Sequence, residues 1–458
     1  MPLQDMEKRR QGIRDHLVLV PCPFQGHMKP MLHLANLLHS KGFSITIIHS
    51  QSNSPNPSHY PHFFFRCLGD SSHIQSASDG DFVPFISALN QHSPTIFRDL
   101  LLRMHFQDPI LSIIHDSVMY FPITVADELD IPRIVLRTSS AAAGFAFALS
   151  IPKQQRSLPF QENELEEALV EFPSIRGKDL PVINTFHKEA RDEFLARVHH
   201  GTRTASAIVW NTFRGLEQTT LEKMELLFSV PNFPIGPLHK HSGASLTSFV
   251  TEDHGCIAWL DQQAPSSVIY VSVGSLITTS ESELVEMAWG LANSGQPFLW
   301  VVRPGLVNGS SNAAQLLPKE FKETTNKRGR VISWAPQEAV LAHRSVGGFW
   351  THSGWNSTVE SISEGVPMLC SPIVGDQRVN ARFVSHVWRI GIQLEDGVER
   401  GKIEKAIKRL MVDEEGTEMK KRAMDLKDKV ASSLRQGGSS SEFLHSLVDF
   451  IKGKLCKP

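Results

Sequence analysis

The sequence predicts an α/β protein made of two doubly wound domains that face each other across a cleft. Residues 16–49 and 267–303 each show an apolar run, a tight turn, a helical stretch and a second apolar run. This order is typical of a β-α-β unit with parallel strands. A stretch rich in Pro, Gly and Ser separates the two units, so we place a linker at 236–266. We expect domains at 1–235 and 267–440, with ligands at the carboxyl ends of their strands.

The elements of the N-terminal domain follow from the residue types along the chain. An apolar run at 17–21 predicts the first strand, and apolar residues between 31 and 38 recur at helical spacing. Gly42 then ends the helix, and the β-branched run at 43–49 predicts the second strand. Further elements are predicted downstream: buried strands at 110–115 and 133–137, and long loops with helices at 50–105 and 150–205.

The C-terminal domain begins with the strand SVIYVSVGS at 267–275. Ser280 and Glu283 match a capping box at the start of the next helix, and Gly295 ends that helix. PFLWVVR then predicts another strand. After residue 400 the chain is charged and helical, and we expect the helix within 441–458 to fold back onto the N-terminal domain.

The composition excludes several classes of protein. The 458 residues are 41% hydrophobic and 21% charged, and 46 Lys and Arg nearly balance 48 Asp and Glu. This balance argues against binding to nucleic acid or to acidic membranes. Five scattered cysteines are typical of a reducing compartment. Because no apolar run reaches about 20 residues and the N-terminus lacks a signal-type apolar stretch, we expect a cytoplasmic monomer without integral membrane association.

The most informative stretch runs from 334 to 377. Within it, VGGFWTH predicts a strand, SGWNS a turn of small residues, and STVESISEG the start of a helix. Such a turn presents backbone N–H groups at a helix N-terminus, which suits a phosphate. His352, Asn356 and Ser357 add side-chain donors at the turn. Glu360 lies one helical turn further on, where a carboxylate can accept both hydroxyls of a ribose.

Two other parts of this stretch suit a nucleotide sugar. Trp334 offers a flat face on which a base can stack, although a tryptophan after a strand is also a common core residue. Asp376 and Gln377 end the loop after the next strand with oxygen acceptors and an amide, groups that commonly hold sugar hydroxyls. The stretch therefore predicts a nucleotide-sugar site in the C-terminal domain.

The whole stretch from 334 to 377 closely resembles the nucleotide-sugar signature of plant family 1 UDP-glycosyltransferases. The resemblance extends to PFQGHMKP near the N-terminus and to VSVGS at the start of the C-terminal domain, so it covers nearly the whole chain. Ser353 stands where the family commonly has Cys, and Val273 where Phe is common. Neither departure removes a donor-binding side chain. The resemblance implies the GT-B fold of two Rossmann-like domains and transfer of a sugar from a UDP-sugar.

The resemblance also implies roles for individual residues, with uracil stacked on Trp334 and the ribose held by Glu360. Residues implied to bind UDP are Ser275, Trp334, Ala335, Gln337, His352, Gly354, Asn356, Ser357 and Glu360. Residues implied to bind the sugar are Thr138, Trp355, Asp376 and Gln377. In the family, Gln at the position of Gln377 tends to accompany glucose, which implies UDP-glucose as the donor. Read without the resemblance, Thr138 is equally a helix cap and Ser275 a turn cap.

Transfer with inversion needs a base that deprotonates the acceptor and a group that stabilises the departing UDP. His27 lies in the turn after the first strand, and an imidazole is a usable base near neutral pH. Asp116 follows the strand 110–115 at the same edge of the sheet, where a carboxylate can hold the second ring nitrogen. The resemblance assigns these roles to both residues, although Asp116 alone also reads as a helix cap. The helix start near Asn356 would stabilise the negative charge of the departing UDP, so we expect no metal or other cofactor.

The residues that bind the acceptor are the least determined by the sequence. Met119, Tyr120, Phe145 and Phe147, together with the Phe-rich stretch at 82–85, suggest a largely apolar pocket, but such residues are just as often core. We expect a small lipophilic acceptor such as a phenolic, terpenoid or hormone-like metabolite. Whether it reacts through oxygen or nitrogen stays open.

Other functions lack their sequence signatures. A nucleotide-dependent oxidoreductase requires GxGxxG after the first strand, where this chain has PCPFQGH. The motifs GxSxG of serine hydrolases and GxxxxGK[ST] of P-loop enzymes do not occur. A non-catalytic binding protein of the same fold remains an alternative, but the presence of His27 and Asp116 favours an enzyme.

Overall fold

The computed structural model describes residues 15–453 except 70–81, 155–164, 184, 186–187, 242–249, 276–277, 308–309, 311 and 396. The chain folds into two compact units. The first unit comprises 1–141, 185–247 and 433–458, and the second comprises 142–184 and 248–432. Residues 142–184, which the sequence analysis groups with the N-terminal domain, therefore pack in the second unit, whereas the C-terminal segment packs in the first.

The strands form two sheets in which every pairing between named strands is parallel. The first sheet has the order β3-β2-β1-β4-β5-β6-β7, with β1 His16–Val20, β2 Ser44–His49, β3 Phe64–Cys67, β4 Ile110–Asp116, β5 Arg133–Arg137, β6 Ala207–Trp210 and β7 Asn232–Pro234. The second sheet has the order β10-β9-β8-β11-β12-β13, with β8 Val268–Ser272, β9 Phe298–Val301, β10 Gly329–Ile332, β11 Val346–Thr351, β12 Met368–Cys370 and β13 Gly391–Gln393.

Helices connect these strands, as parallel pairing requires. In chain order they are α1 Gln25–Ser40, α2 Phe82–Gln107, α3 Pro122–Glu128, α4 Ala141–Gln154, α5 Lys188–Arg203, α6 Arg214–Phe228, α7 Gly255–Leu260, α8 Glu281–Ser294, α9 Lys319–Thr325, α10 Gln337–Leu341, α11 Trp355–Glu364, α12 Gln377–Arg382, α13 Arg400–Met411, α14 Glu414–Leu434 and α15 Ser439–Ile451. Among the helices described, none is long and apolar enough to cross a membrane.

The two sheets follow the same doubly wound plan. In the first, the chain proceeds outward from β1 to β3, returns to β4 beside β1, and continues outward on the other side. The second sheet repeats this plan, with β11 returning beside β8. Each sheet therefore has a topological switch point, where connections leave adjacent strands in opposite directions and open a crevice at the carboxyl edge.

The core of the first unit explains why α15 belongs to it. Leu17, Leu19 and Ile47 of the sheet are fully buried, in the same cluster as Leu34 and Leu38 of α1. Leu444, Leu447 and Ile451 of α15 recur at helical spacing and complete this cluster. The fold-back of the last helix, expected from the sequence, is thus held by apolar burial.

The capping box predicted in the second unit is confirmed. The Ser280 hydroxyl accepts from the Glu283 backbone N–H at 3.2 Å, while the Glu283 carboxylate accepts from the Ser280 N–H at 2.8 Å. Gly295, at φ +75°, ends α8 in the left-handed conformation that favours glycine. These local signals fixed the bounds of α8 because they depend on neighbours along the chain.

An ion-pair network joins 165–183 to the second unit. Arg176 contacts Asp179 at 2.9 Å and Glu395 at 3.0 Å, and Lys178 also contacts Glu395 at 3.0 Å. Asp179 is almost fully buried and therefore needs these partners. Glu395 lies 219 residues from Arg176 and 217 from Lys178, which explains why residue patterns alone place this segment in the other domain.

We predict that replacement of Leu447 by Ala lowers the free energy of unfolding of the protein by about 2 to 5 kcal/mol. The fully buried side chain fills space between α15 and the sheet, so its removal leaves a cavity. Urea denaturation followed by circular dichroism measures the change. The exposed neighbour His445, replaced by Ala, should change stability by about 0.5 kcal/mol or less. Equal effects of the two substitutions would contradict the packing of α15.

Candidate active site

Three predicted residues meet at the carboxyl edge of the first sheet. His27 lies in the first turn of α1, directly after β1. Asp116 is the last residue of β4, and Thr138 directly follows β5. Because β1, β4 and β5 are adjacent in the sheet, their carboxyl ends bring residues distant in sequence side by side. His27 follows β1 and Asp116 ends β4, and these are the two strands that flank the switch point.

The His27 ring is held by hydrogen bonds at one nitrogen. Nδ1 lies 2.8 Å from Asp116 Oδ2 and 3.0 Å from Thr138 Oγ1. Since an ionised carboxylate can only accept, the neutral ring carries its hydrogen on Nδ1 and its lone pair on Nε2. The imidazole is 31% exposed, whereas the Asp116 side chain is fully buried. A partly exposed imidazole oriented by a buried carboxylate can act as a general base.

Asp116 combines the two roles that the sequence left open. Its Oδ2 contacts His27, while its Oδ1 accepts a hydrogen bond from the Val118 backbone N–H at 3.0 Å. The carboxylate thus caps the turn after β4 and binds the imidazole at once. The neighbouring His115 is buried, and burial lowers its pKa to about 4. His115 is therefore a neutral core residue.

In the second unit, the predicted UDP residues also follow the carboxyl ends of strands. Trp334 and Ala335 come after β10, Ser275 after β8, and His352 directly after β11. Gln377 begins α12, in the connection that follows β12. The strands β8 and β11 flank the switch point of this sheet. The predicted UDP residues Ser275 and His352 thus follow the two strands between which a nucleotide fold forms its crevice.

His352 occupies a narrow space between two glycines. A Cβ atom on Gly274 would lie 2.7 Å from ring atoms of His352, and a Cβ on Gly354 would also collide with the ring. Burial lowers the pKa of His352 to about 4, although a hydrogen bond to the Ser272 backbone opposes this change. The imidazole is therefore neutral near pH 7. Its Nδ1 is buried and has no hydrogen-bond partner among the described residues, which marks the ring as a candidate ligand contact at this turn.

The helix α11 begins immediately after this ring. Gly354 is its N-cap and provides no side-chain cap, so the first-turn N–H groups receive no side-chain oxygen from the cap residue. The hydroxyl of Ser353 is fully buried and lies beside the Cys370 thiol. A helix N-terminus carries partial positive charge and backbone donors. These features fit a diphosphate, as the sequence predicts for this turn.

Arg303 and Tyr270 are site residues that the sequence reasoning missed. Arg303 Nε donates to the Gly274 carbonyl at 3.0 Å, and its charge contributes to the lowered pKa of His352. It follows β9 at the carboxyl edge, and this position was the signal that could have identified it. Tyr270 lies inside β8, where alternation makes it look like a core residue, yet its hydroxyl donates to Gln337 Oε1 at 3.2 Å.

Three of the residues predicted to bind UDP form one hydrogen-bonded cluster. Gln337 Nε2 donates to Ser357 Oγ at 3.0 Å and to Glu360 Oε2 at 2.7 Å. Ser357 and Glu360 are buried on the same face of α11. The structure thus brings Gln337, Ser357 and Glu360 together from α10 and α11, as a common ligand would require.

The remaining predicted donor residues differ in their surroundings. Trp334 is partly exposed, consistent with a free face, whereas Trp355 is buried and lies 6.4 Å from the Trp388 ring. The Gln377 side-chain oxygen accepts from the backbone N–H groups of Ile373 and Val374 at 2.9 and 3.2 Å. Gln377 thereby shapes the loop that precedes it. Two further predicted residues, Asn356 and Asp376, are partly exposed in the same unit.

The predicted acceptor residues fall in two units. Met119 and Tyr120 belong to the turn after β4 in the first unit, where Met119 is buried and Tyr120 partly exposed. Phe145 and Phe147 lie on α4 within the second unit, both partly exposed. The Phe145 ring packs edge-on against the Phe172 ring, with their centres 5.2 Å apart, so part of Phe145 is packed in the core. In the described residues, no group of three or more His, Cys, Asp and Glu is arranged to hold a metal ion.

Solved structures identify the class of this fold. The chain superposes on Phytolacca americana UGT2, complexed with UDP-2fluoro-glucose and pterostilbene, with a TM-score of 0.82 and 29% sequence identity. The match covers 96% of this chain and 100% of that chain. Two doubly wound parallel sheets and this similarity define a GT-B glycosyltransferase.

Sequence relatives identify the family. The family described as "UDP-glucoronosyl and UDP-glucosyl transferase" matches residues 193–430. UDP-glycosyltransferase 76B1 of Arabidopsis thaliana is 43% identical, covering 95% of this chain and 97% of the relative. Flavonol 3-O-glucosyltransferase UGT76E12 of the same plant is 41% identical over 98% of this chain and 100% of the relative. The chain belongs to the plant family 1 UDP-glycosyltransferases, and it is an enzyme of that kind.

We predict that His352 makes the folded protein less stable in acid. The unfolded chain takes up a proton on this residue below about pH 6.5, whereas the folded protein resists protonation until about pH 4. Stability contributed by this residue is therefore lost as the pH falls between these values. From pH 7 to pH 5, His352→Gln should lose about 1 kcal/mol less stability than the wild type, a value discounted for partial exposure.

Urea denaturation at both pH values measures this difference. The other buried histidines contribute to wild type and variant alike. The exposed His445, replaced by Gln, provides a control that should keep the wild-type pH dependence. An unchanged pH dependence in His352→Gln would show that its imidazole is not held neutral by burial.

Proposed function

We propose that this enzyme transfers glucose from UDP-glucose to a hydroxyl of a small lipophilic acceptor, with inversion, giving a β-glucoside. The observation that carries the proposal is the hydrogen bond between His27 Nδ1 and the buried carboxylate of Asp116. This bond directs the lone pair to Nε2, gives the ring an orientation, and supplies a fixed negative charge that stabilises the imidazolium. Such an arrangement suits removal of one proton from an attacking hydroxyl.

The reaction balances without another reactant. Nε2 of His27 takes the hydroxyl proton as the acceptor oxygen forms a bond to the anomeric carbon. The bond between that carbon and the β-phosphate oxygen breaks, and UDP leaves with the electron pair. Attack from the side opposite to UDP inverts the anomeric carbon, so an α-linked donor gives a β-glucoside. The proton later passes from the imidazolium to solvent, which restores the base.

The departing UDP gains charge on its diphosphate. In this proposal, that negative charge is stabilised by the backbone N–H groups at the start of α11 and by the ring of His352. Arg303 adds a positive charge beside His352. These groups are all supplied by the chain, and we propose that transfer requires no metal ion.

Glucose as the transferred sugar has separate support. Gln377 is the residue that tends to accompany glucose in the family that the signature resembles. The similar structure from Phytolacca americana holds UDP-2fluoro-glucose, and one relative is a flavonol 3-O-glucosyltransferase. We propose UDP-glucose as the donor on this combined basis.

The acceptor class rests on chemistry and on similarity. Met119 and Tyr120 directly follow the Asp116 region and offer an apolar side chain and an aromatic ring. The Phytolacca americana structure contains pterostilbene, an apolar phenolic compound. We propose hydroxylated aromatic compounds, terpenoids or hormone-like metabolites as acceptors.

We predict that the protein converts UDP-glucose and members of a mixed acceptor panel into products heavier by one hexose. The panel contains phenolic, terpenoid and purine compounds, so oxygen and nitrogen acceptors are distinguished by mass spectrometry. NMR coupling at the anomeric proton should identify a β-linkage, and added EDTA should leave the rate unchanged. UDP-galactose and UDP-xylose serve as donor controls. A clear preference for either of them, an α-linked product or loss of rate in EDTA would each overturn the corresponding part of the proposal.

We predict that His27→Ala lowers kcat by about 100- to 10,000-fold, the usual contribution of a general base. UDP should still stabilise the variant against thermal unfolding, by about 2.7 kcal/mol at 100 times its Kd, because the predicted UDP residues are intact. The exposed His445→Ala variant should keep wild-type activity. A fully active His27→Ala enzyme would remove His27 from the mechanism, and loss of UDP stabilisation would indicate a folding defect instead.

A further inference from the structure

The turn that follows β4 connects the predicted catalytic residue Asp116 with two residues predicted to bind the acceptor. This β4–α3 turn (residues 117–121) begins beside Asp116 and contains Met119 and Tyr120. The Asp116 carboxylate accepts from Val118 N–H at 3.0 Å, so the orientation of the carboxylate depends on where residue 118 lies. Ser117 N–H still donates to Leu136 O of β5 at 3.2 Å, but beyond it the turn leaves the sheet, and its buried polar groups need other partners.

Asn90 of α2 provides those partners at both ends of the turn. Its Nδ2 donates to the Val118 carbonyl at 3.0 Å, and its Oδ1 accepts from the Phe121 N–H at 2.8 Å. The same Nδ2 also donates to Ile86 O of its own helix at 2.9 Å. Asn90 is 4% exposed, so these contacts form away from water. One side chain therefore replaces the missing backbone partners of the turn.

These contacts admit one orientation of the amide. If the amide were rotated by half a turn, its NH₂ would face the Phe121 N–H and its oxygen would face the Val118 carbonyl. Both contacts would then be repulsive. Phe121 is also packed edge-on against Phe97 of α2 at 5.1 Å, which keeps the turn against the helix. Apolar packing thus brings the turn and α2 together, and the amide fixes the backbone within that contact.

We infer that Asn90 is a positioning residue for the transfer reaction, holding the β4–α3 turn so that the Asp116 carboxylate stays directed at the His27 imidazole. The inference rests on the proposed function, because Asn90 can affect transfer in this way only if His27 is the base. The contacts run in an unbroken series from Asn90 to Val118, from Val118 to Asp116 and from Asp116 to His27. The hydrogen bonds of the Asn90 side chain go to Ile86, Val118 and Phe121, so any effect of Asn90 on the imidazole passes through the turn.

The test uses variants of nearly equal volume in the full-length protein. Asn90→Leu removes all three hydrogen bonds, and Asn90→Asp removes the donor while keeping an acceptor for Phe121. With the best acceptor of the panel, kcat of Asn90→Leu should fall about tenfold, since small misplacements of catalytic groups have effects of that order or larger. The KM for UDP-glucose should stay within about twofold, because Asn90 belongs to the first unit and the predicted UDP residues belong to the second.

A second readout does not need turnover. Histidine labelled with ¹³C at Cε1 allows the His27 signal to be titrated by NMR, and the signal is assigned by its absence in His27→Gln. An ionised carboxylate hydrogen-bonded to an imidazole favours the protonated ring and so raises the midpoint of such a titration. A turn that is no longer held should weaken that effect and lower the value by about half a unit or more. If Asn90→Leu does not fold, Asn90→Asp should show the same changes in smaller size.

Asn232 provides a matched control. It is also a buried asparagine of the first unit, at the start of β7, where it accepts from Trp210 Nε1 at 2.6 Å and donates to Val230 O at 2.8 Å. Asn232→Leu should lower stability but leave kcat and the His27 titration as in the wild type. Equal effects of Asn90→Leu and Asn232→Leu on both readouts would overturn the inference, as would wild-type values in a folded Asn90 variant.

The two proposals fail in different ways. If the wild type transfers no sugar, the proposed function is wrong, and the His27 titration still decides whether Asn90 positions Asp116. If the wild type is active and Asn90→Leu keeps its kcat and its His27 titration, the proposed function stands and the positioning role is excluded.

Discussion

Parallel pairing of every strand within each sheet is the constraint on which the candidate sites depend. It places all carboxyl ends of a sheet at one edge, and the doubly wound order opens a crevice where connections diverge. In the first unit that point lies between β1, which His27 follows, and β4, which ends at Asp116. In the second it lies between β8 and β11, followed by Gly274 and His352. The same backbone rule therefore selects both places, and only the side chains differ.

Buried polar groups then give each place its chemistry. A carboxylate removed from water is costly unless it is hydrogen-bonded, and Asp116 is satisfied by the His27 ring and the Val118 backbone. This requirement joins the structural and chemical roles of Asp116 in one group. In the second unit, burial and the nearby charge of Arg303 instead keep the His352 ring neutral near pH 7. The two histidines thus differ in their surroundings. His27 has the carboxylate of Asp116 as a partner, whereas His352 is enclosed between two glycines.

The sequence predicted those features that depend on close neighbours along the chain. The bounds of β5, the capping box of α8 and the glycine ends of α1 and α8 were confirmed. The stretch 50–105 was predicted less well. It contains a helix of 26 residues whose sequence pattern is interrupted by Pro94 and by many polar residues. That helix is held by burial of Val83, Ile86 and Phe97 against the rest of the first unit. Its position, and with it the contact of Asn90 with the β4–α3 turn, depends on that tertiary packing.

The sequence by itself determined the two β-α-β beginnings, the signature stretch and the residue types able to bind a nucleotide sugar, because periodicity and capping act over a few residues. Only the tertiary structure decided that Asp116 and Thr138 share one nitrogen of His27, that Gln337 bonds both Ser357 and Glu360, and that 165–183 packs in the second unit. These contacts join residues far apart in the chain. Their geometry follows from strand order and from the pairing of buried charges, which no local pattern specifies.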